Sequence, residues 1–157
     1  MAHALLRAVS RLFSTPCLLA IICLPSLAGA AETCPWLNAA TAGGFLGGNV
    51  TNLTVSRAQS NDDARCEFVS HEGSLVIQVE TMPSPATDFP SYLARCHSPS
   101  EPLKAIGNKA VACSDEGAEQ VIGRVRNRAF IIRIKTPGRD LREKSRKVAE
   151  QVAGILF

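Results

Sequence analysis

Four cysteines, Cys34, Cys66, Cys96 and Cys113, follow a hydrophobic leader that ends in Ala28-Gly29-Ala30, and this pairing of features constrains the chain more than any other. Residues 1–30 have the layout of a secretory signal. Arg7 and Arg11 supply a basic start, Cys17–Leu24 an apolar run, Pro25 a break, and the small residues a cleavage site, so Ala31 is the predicted mature start. The apolar run is shorter than the ~20 residues a membrane-spanning helix needs. Ile22 precedes Cys23 and Thr33 precedes Cys34, whereas lipid attachment requires a small residue before the modified cysteine. The expectation is therefore a secreted or periplasmic domain, without a transmembrane helix in its mature part, whose cysteines are bridged rather than reactive.

With the leader removed, the 17 basic residues fall to 15 against 14 acids and the formal charge falls from +3 to +1. The whole-chain excess of basic residues thus gives no reason to expect a nucleic-acid partner. Residues 31–157 suit one domain with one core.

Periodicity then divides the mature chain. Asn38 caps a short helix through Ala39-Ala40-Thr41-Ala42 that Gly47-Gly48 stops. Leu53 and Val55 share one face of a strand, and the polar stretch Gln59–Asp63 turns the chain. Cys66 and Phe68 share a face in a second strand, Glu72-Gly73 forms a hairpin turn, and Leu75, Ile77 and Val79 share a face in a third. Among prolines, Asp88–Arg95 forms a short helix, and a loop holding Pro99 and Pro102 follows it. Gly107-Asn108 turns into a strand bearing Val111 and Cys113. Strands Glu119–Arg126 and Ala129–Lys135 flank the link Asn127-Arg128, with Phe130, Ile132 and Ile134 inward. Beyond Pro137-Gly138 the period becomes helical: Leu141, Ser145, Val148, Val152 and Ile155 form one face, widened by Ala149 and Leu156. The order α-β-β-β-α-β-β-β-α predicts an α+β fold, an antiparallel sheet covered by helices. The two helix-plus-three-strand halves have the layout of a duplicated unit, but no residue-level repeat establishes one.

Four cysteines allow three pairings. Cys34–Cys66 with Cys96–Cys113 is preferred, because each bridge then ties a helix end to a strand nearby in the chain. Loops of roughly 33 and 18 residues would each contribute about 3–4 kcal/mol in the chain-entropy account. A metal site recruiting His97 beside Cys96 is the alternative, but no close C-x-x-C pair supports it, and neither metal nor cofactor is expected.

No catalytic set assembles in the sequence. His71 and His97 lie in polar turns, no G-x-S-x-G or S-x-x-K motif presents a serine, and the acid pairs Asp62-Asp63 and Asp115-Glu116 fall in turns outside any calcium loop. Gly43-Gly44 and Gly47-Gly48 lack the Lys-Ser/Thr of a phosphate loop. Asn49-Val50-Thr51 and Asn52-Leu53-Thr54 match the N-glycosylation pattern, which matters only in a eukaryotic secretory system. One basic surface stands out: Arg124, Arg126, Arg128, Arg133 and Lys135 on the final hairpin, with Arg139, Arg142, Arg146 and Lys147 on the last helix. If the hairpin's outer side adjoins the helix's outer face, these form a stripe for an anionic partner; otherwise they keep an exposed sheet soluble.

The turn and strand Leu103–Cys113, the early helix region Cys34–Gly48 and the closing helix Leu141–Phe157 together resemble the DUF3558-like actinobacterial lipoproteins and their secreted relatives. The resemblance implies a layered α+β envelope domain with no assigned chemistry, although the lipid-attachment cysteine is absent. The expected function is a non-enzymatic domain that binds an envelope protein or anionic polymer. The alternatives are a small secreted hydrolase using His71 or His97 as base, and a basic surface that binds anionic envelope polymers.

Overall fold

The structure, a computed structural model, describes residues 33–58 and 63–157, so the predicted leader, its cleavage site and most of the Gln59–Asp63 turn lie outside the described residues. Three helices and seven strands follow in order: α1 (Ala39–Leu46), β1 (Val50–Arg57), β2 (Ala64–Ser70), β3 (Ser74–Thr81), α2 (Pro85–Leu93), β4 (Glu101–Leu103), β5 (Lys109–Asp115), β6 (Ala118–Val125), β7 (Arg128–Lys135) and α3 (Leu141–Leu156). This is the α+β architecture predicted from periodicity, with one strand more.

The added strand is β4. Its three residues pair with β5 at the sheet edge, where Pro102 needs no ladder partner for its missing N–H. That explains how a segment read as a proline loop joins the sheet. Helix α2 starts three residues before the expected Asp88, because Pro85 is pre-set for a first helical turn, and it contains Pro90. The turn between β6 and β7 is Arg126-Asn127, one residue earlier than the expected Asn127-Arg128. It is set there by Arg126, which adopts φ 54° and donates its backbone N–H to Asn108 Oδ1 at 2.6 Å.

All strand pairs are antiparallel, in the order β1-β2-β3-β7-β6-β5-β4. The two halves meet where β3 pairs with β7, and α2 carries the chain from β3 to the far edge. Alternation sorts the side chains by face. Phe68, Leu75, Ile77, Val79, Phe130, Ile132 and Ile134 are buried on one side against Val148, Ala149 and Val152 of α3 and Leu46 of α1. Helix α1 is only eight residues long, so its ends matter. Asn38 Oδ1 accepts the Thr41 N–H at 2.8 Å, and Gly47, at φ 81°, donates with Gly48 to the Gly43 carbonyl.

A second apolar cluster occupies the opposite face. Met82, Phe89, Val111, Ile122, Ala129 and Ile131 pack there, with Tyr92 and Leu93 alongside, so α2 covers the side of the sheet that α3 does not. This is why β6 and β7 are buried almost continuously, although only alternate residues were expected inside.

Gly123 lies directly across from Phe130, and a Cβ there would stand 2.2 Å from the ring's Cζ. The ring fills the place of a side chain. Gly123→Ala is expected to destabilise by about 1–3 kcal/mol through overpacking. A urea titration checks this; an unshifted midpoint would show that the ring yields.

Candidate functional site

Helix α2 shields only part of its face, chiefly over β5, β6 and β7. Beside it lies a groove of ≈ 540 Å³. Outward positions of four strands build it: Arg65 and Glu67 from β2, Ser74, Val76 and Gln78 from β3, Arg133 and Lys135 from β7, and Gln120 from β6. Ile131 adds an apolar floor beside Val76, the acidic turn Asp115-Glu116 forms one wall, and Arg95, just beyond α2, forms another.

The β5–β6 turn that presents the acids is tight, with Glu116 at φ 48° and Gly117 at φ 76°, the doubly positive pattern of a two-residue hairpin turn. Arg95 lies 4.7 Å from the centre of the Tyr92 ring. The bridge Cys96–Cys113 fastens the adjoining residue to β5, which holds this wall in place. Arg65 donates to Gln78 Oε1 at 3.2 Å and stands 3.7 Å from Glu67. Arg133 stands 3.7 Å from both Asp115 and Glu116, and its Nε is buried without an acceptor among the described residues. Half-exposed pairs at such distances contribute little stability, so the charges remain available to a ligand.

The cysteines pair as Cys34–Cys66 and Cys96–Cys113. With its sulfur in a bridge, Cys96 is not free to join His97 on a metal. Both histidines are exposed, His71 in the β2–β3 turn and His97 after α2, and neither lines the groove.

The basic residues do not form one stripe. Arg133 and Lys135 alternate with Phe130, Ile132 and Ile134, so they face the α2 side, while α3 packs on the other side and carries Arg142 and Arg146 there. The sheet separates the two sets. Most members also have internal partners. Arg124 lies 5.8 Å from the Phe89 ring centre, Arg128 is 3.8 Å from Asp63, and Arg146 donates to Glu150 at 2.9 Å. Arg142 donates to Glu119 at 2.9 Å and also bonds Glu101, and the bond to Glu119 raises its pKa further above the ordinary arginine value. Exposed Arg126 sits in the hairpin turn. Of the predicted surface, Arg133 and Lys135 alone line the groove.

Sequence reasoning missed Arg65, Ser74, Gln78 and Gln120. A signal for them existed: each sits at the opposite parity to the core positions of its strand. Their convergence depends on β3 pairing with β7, which no local pattern announces.

Near the groove, Tyr92 donates its hydroxyl to Glu80 at 2.6 Å. Burial first, then the hydrogen bond to Glu80, pushes its pKa up to about 12 from 10.0. The folded state therefore favours the neutral phenol. This contribution is complete below pH 10 and is lost as pH rises towards 12. Melting temperatures measured from pH 8 to pH 12 should fall more steeply for the wild type than for Tyr92→Phe; parallel curves would contradict this.

No protein-family model and no curated protein sequence matches this chain. Among solved structures, a GTP binding regulator from Thermotoga maritima is similar at a TM-score of 0.44, with 16% identity, over 78% of this chain and 93% of that chain.

Proposed function

We propose that this chain is an exported, non-enzymatic binding domain of the bacterial envelope, and that its ligand sits in the groove beside α2. One observation carries the reading: part of the sheet is left uncovered, and it bears a compact set of charged and amide side chains over an apolar floor. Ligand sites combine these features, with apolar contact for affinity and a few polar groups for orientation. The bridge at Cys96 supports it by holding one wall rigid, which lowers the ordering cost of binding. The two bridges and the leader pattern agree with an oxidising compartment, and the resemblance to DUF3558-like proteins agrees with an envelope role. No described helix is long and apolar enough to cross a membrane.

The test places a photo-crosslinking residue at Val76 in the groove or at Arg146 on the outer side of α3, in the native host. Discrete adducts are expected from position 76 and not from position 146. No adduct at 76, or the same adducts at both, would refute the reading.

A further inference from the structure

We propose that the groove binds the C-terminal carboxylate of an extended peptide, held between Arg133 and Lys135 with Gln120 and Ser74 completing the donor set; this rests on the groove being the binding surface. Arg133 and Lys135 are two residues apart on β7 and so share a face. Gln120 is the cross-strand partner of Arg133, and Ser74 that of Lys135. Directly opposed side chains start about 5 Å apart, so Gln120 flanks Arg133 from β6 and Ser74 flanks Lys135 from β3, and the four donors line one short strip of the sheet centred on β7.

Their hydrogen-bonding capacity is unused. The side chains of Ser74, Gln120 and Lys135 make no hydrogen bond or ion pair among the described residues, and Gln120 is only 7% exposed. The acids beside Arg133 stand at 3.7 Å, beyond hydrogen-bond distance, and its Nε has no acceptor. Lys135 is exposed and Arg133 Nε is buried without an acceptor, and an anion answers both cations at once through charge-assisted bonds.

The charges of the lining favour an anionic group at this end. Arg65, Arg95, Arg133 and Lys135 face Glu67, Asp115 and Glu116, which is four cations against three anions, a net of +1. A carboxylate answers Lys135, which has no ion-pair partner among the described residues, whereas a phosphate dianion would bring twice the charge among three carboxylates.

Length and lining select a peptide over a free acid. From β7 the groove continues across β3 to β2, a distance of about 10 Å at the usual strand spacing, which is the length of about three extended residues. Val76, opposite Arg133, and Ile131 receive an apolar final side chain. Glu67 is the cross-strand partner of Val76, one strand further on, where it meets a basic residue upstream. Asp115 and Glu116 close the other side. The preferred ligand is thus a chain with a basic residue about three positions before an apolar, free C-terminus.

The probe is acetyl-Lys-Gly-Ala-Leu, titrated into the oxidised, exported protein by calorimetry against its C-terminal amide and against 4-methylpentanoate. Saturable binding of the free-acid peptide is expected, at least tenfold weaker for the amide and for 4-methylpentanoate. Lys135→Gln, at an exposed site, should weaken the free-acid peptide at least fivefold while leaving the melting temperature unchanged. Equal binding of acid and amide, tighter binding of 4-methylpentanoate than of the peptide, or no saturable binding would overturn the proposal. Crosslinks at Val76 that persist alongside any of these results would leave the groove as a binding surface and remove the carboxylate from it; their absence removes both.

Discussion

Replacing Cys34 and Cys66 together by alanine is expected to lower the unfolding free energy by about 3–4 kcal/mol, from the entropy of the closed loop alone. The partners are 32 residues apart in sequence. That loss is a large part of the ~5–15 kcal/mol available to a domain of this size. The effect should concentrate at the N-terminal segment. Trp36 and Leu37 are buried there at 4% and 7% exposure, in a stretch with no strand partner. Besides the bridge, Arg57 donates to the Thr33 carbonyl at 3.1 Å. Cys66 is fully buried among the core side chains, so alanine at that position also removes packed volume. Urea titration of the double variant, with hydrogen exchange at Trp36 and Leu37, measures both consequences. A midpoint equal to that of the wild type would show that the segment is held by packing alone.

Arg142→Ala is expected to cost about 3 kcal/mol, since it strands a carboxylate with little access to water. The Glu119 side chain is 7% exposed and accepts from Arg142 Nε at 2.9 Å and from Ser114 Oγ at 2.7 Å. Removing the cation leaves the hydroxyl as its partner. Arg142 also reaches Glu101 on β4, so the substitution frees the shortest strand from the start of α3. Adding Glu119→Gln to the variant removes the stranded charge and should recover most of the loss. A cost below about 0.5 kcal/mol for the single variant, the range of ordinary surface changes, would mean that the pair is merely superficial. The result bears on function as well: on the sequence alone Arg142 looked like part of an outward basic surface, but its guanidinium serves an internal contact.

Several features could be read from the chain itself because they depend on neighbours a few positions away. The Asn38 cap, the Gly47 stop, the alternation in Leu75–Val79 and the helical pattern of Leu141–Leu156 are local, and each predicted element formed, although Ile155, expected on the inward face of the last helix, is exposed while Ala153 and Leu156 are buried. Other features were decided by distant partners. Ile122 and Ile131 occupy nominally outward positions and are buried because α2 folds back over them. Arg133 and Arg142 are close in sequence but separated by the sheet, since the strand and helix present them to opposite sides.

The groove belongs to this second class. Its donors come from β3, β6 and β7, and β3 finds β7 across the intervening α2, β4, β5 and β6. Sequence by itself determined the types and order of every element but β4, and one apolar side of the strands it identified, because those follow from periods of two and 3.6 residues. Tertiary structure alone decided which strands became neighbours and how far α2 covered them. That choice minimises exposed apolar area over the whole domain at once, and no short stretch of residues contains it.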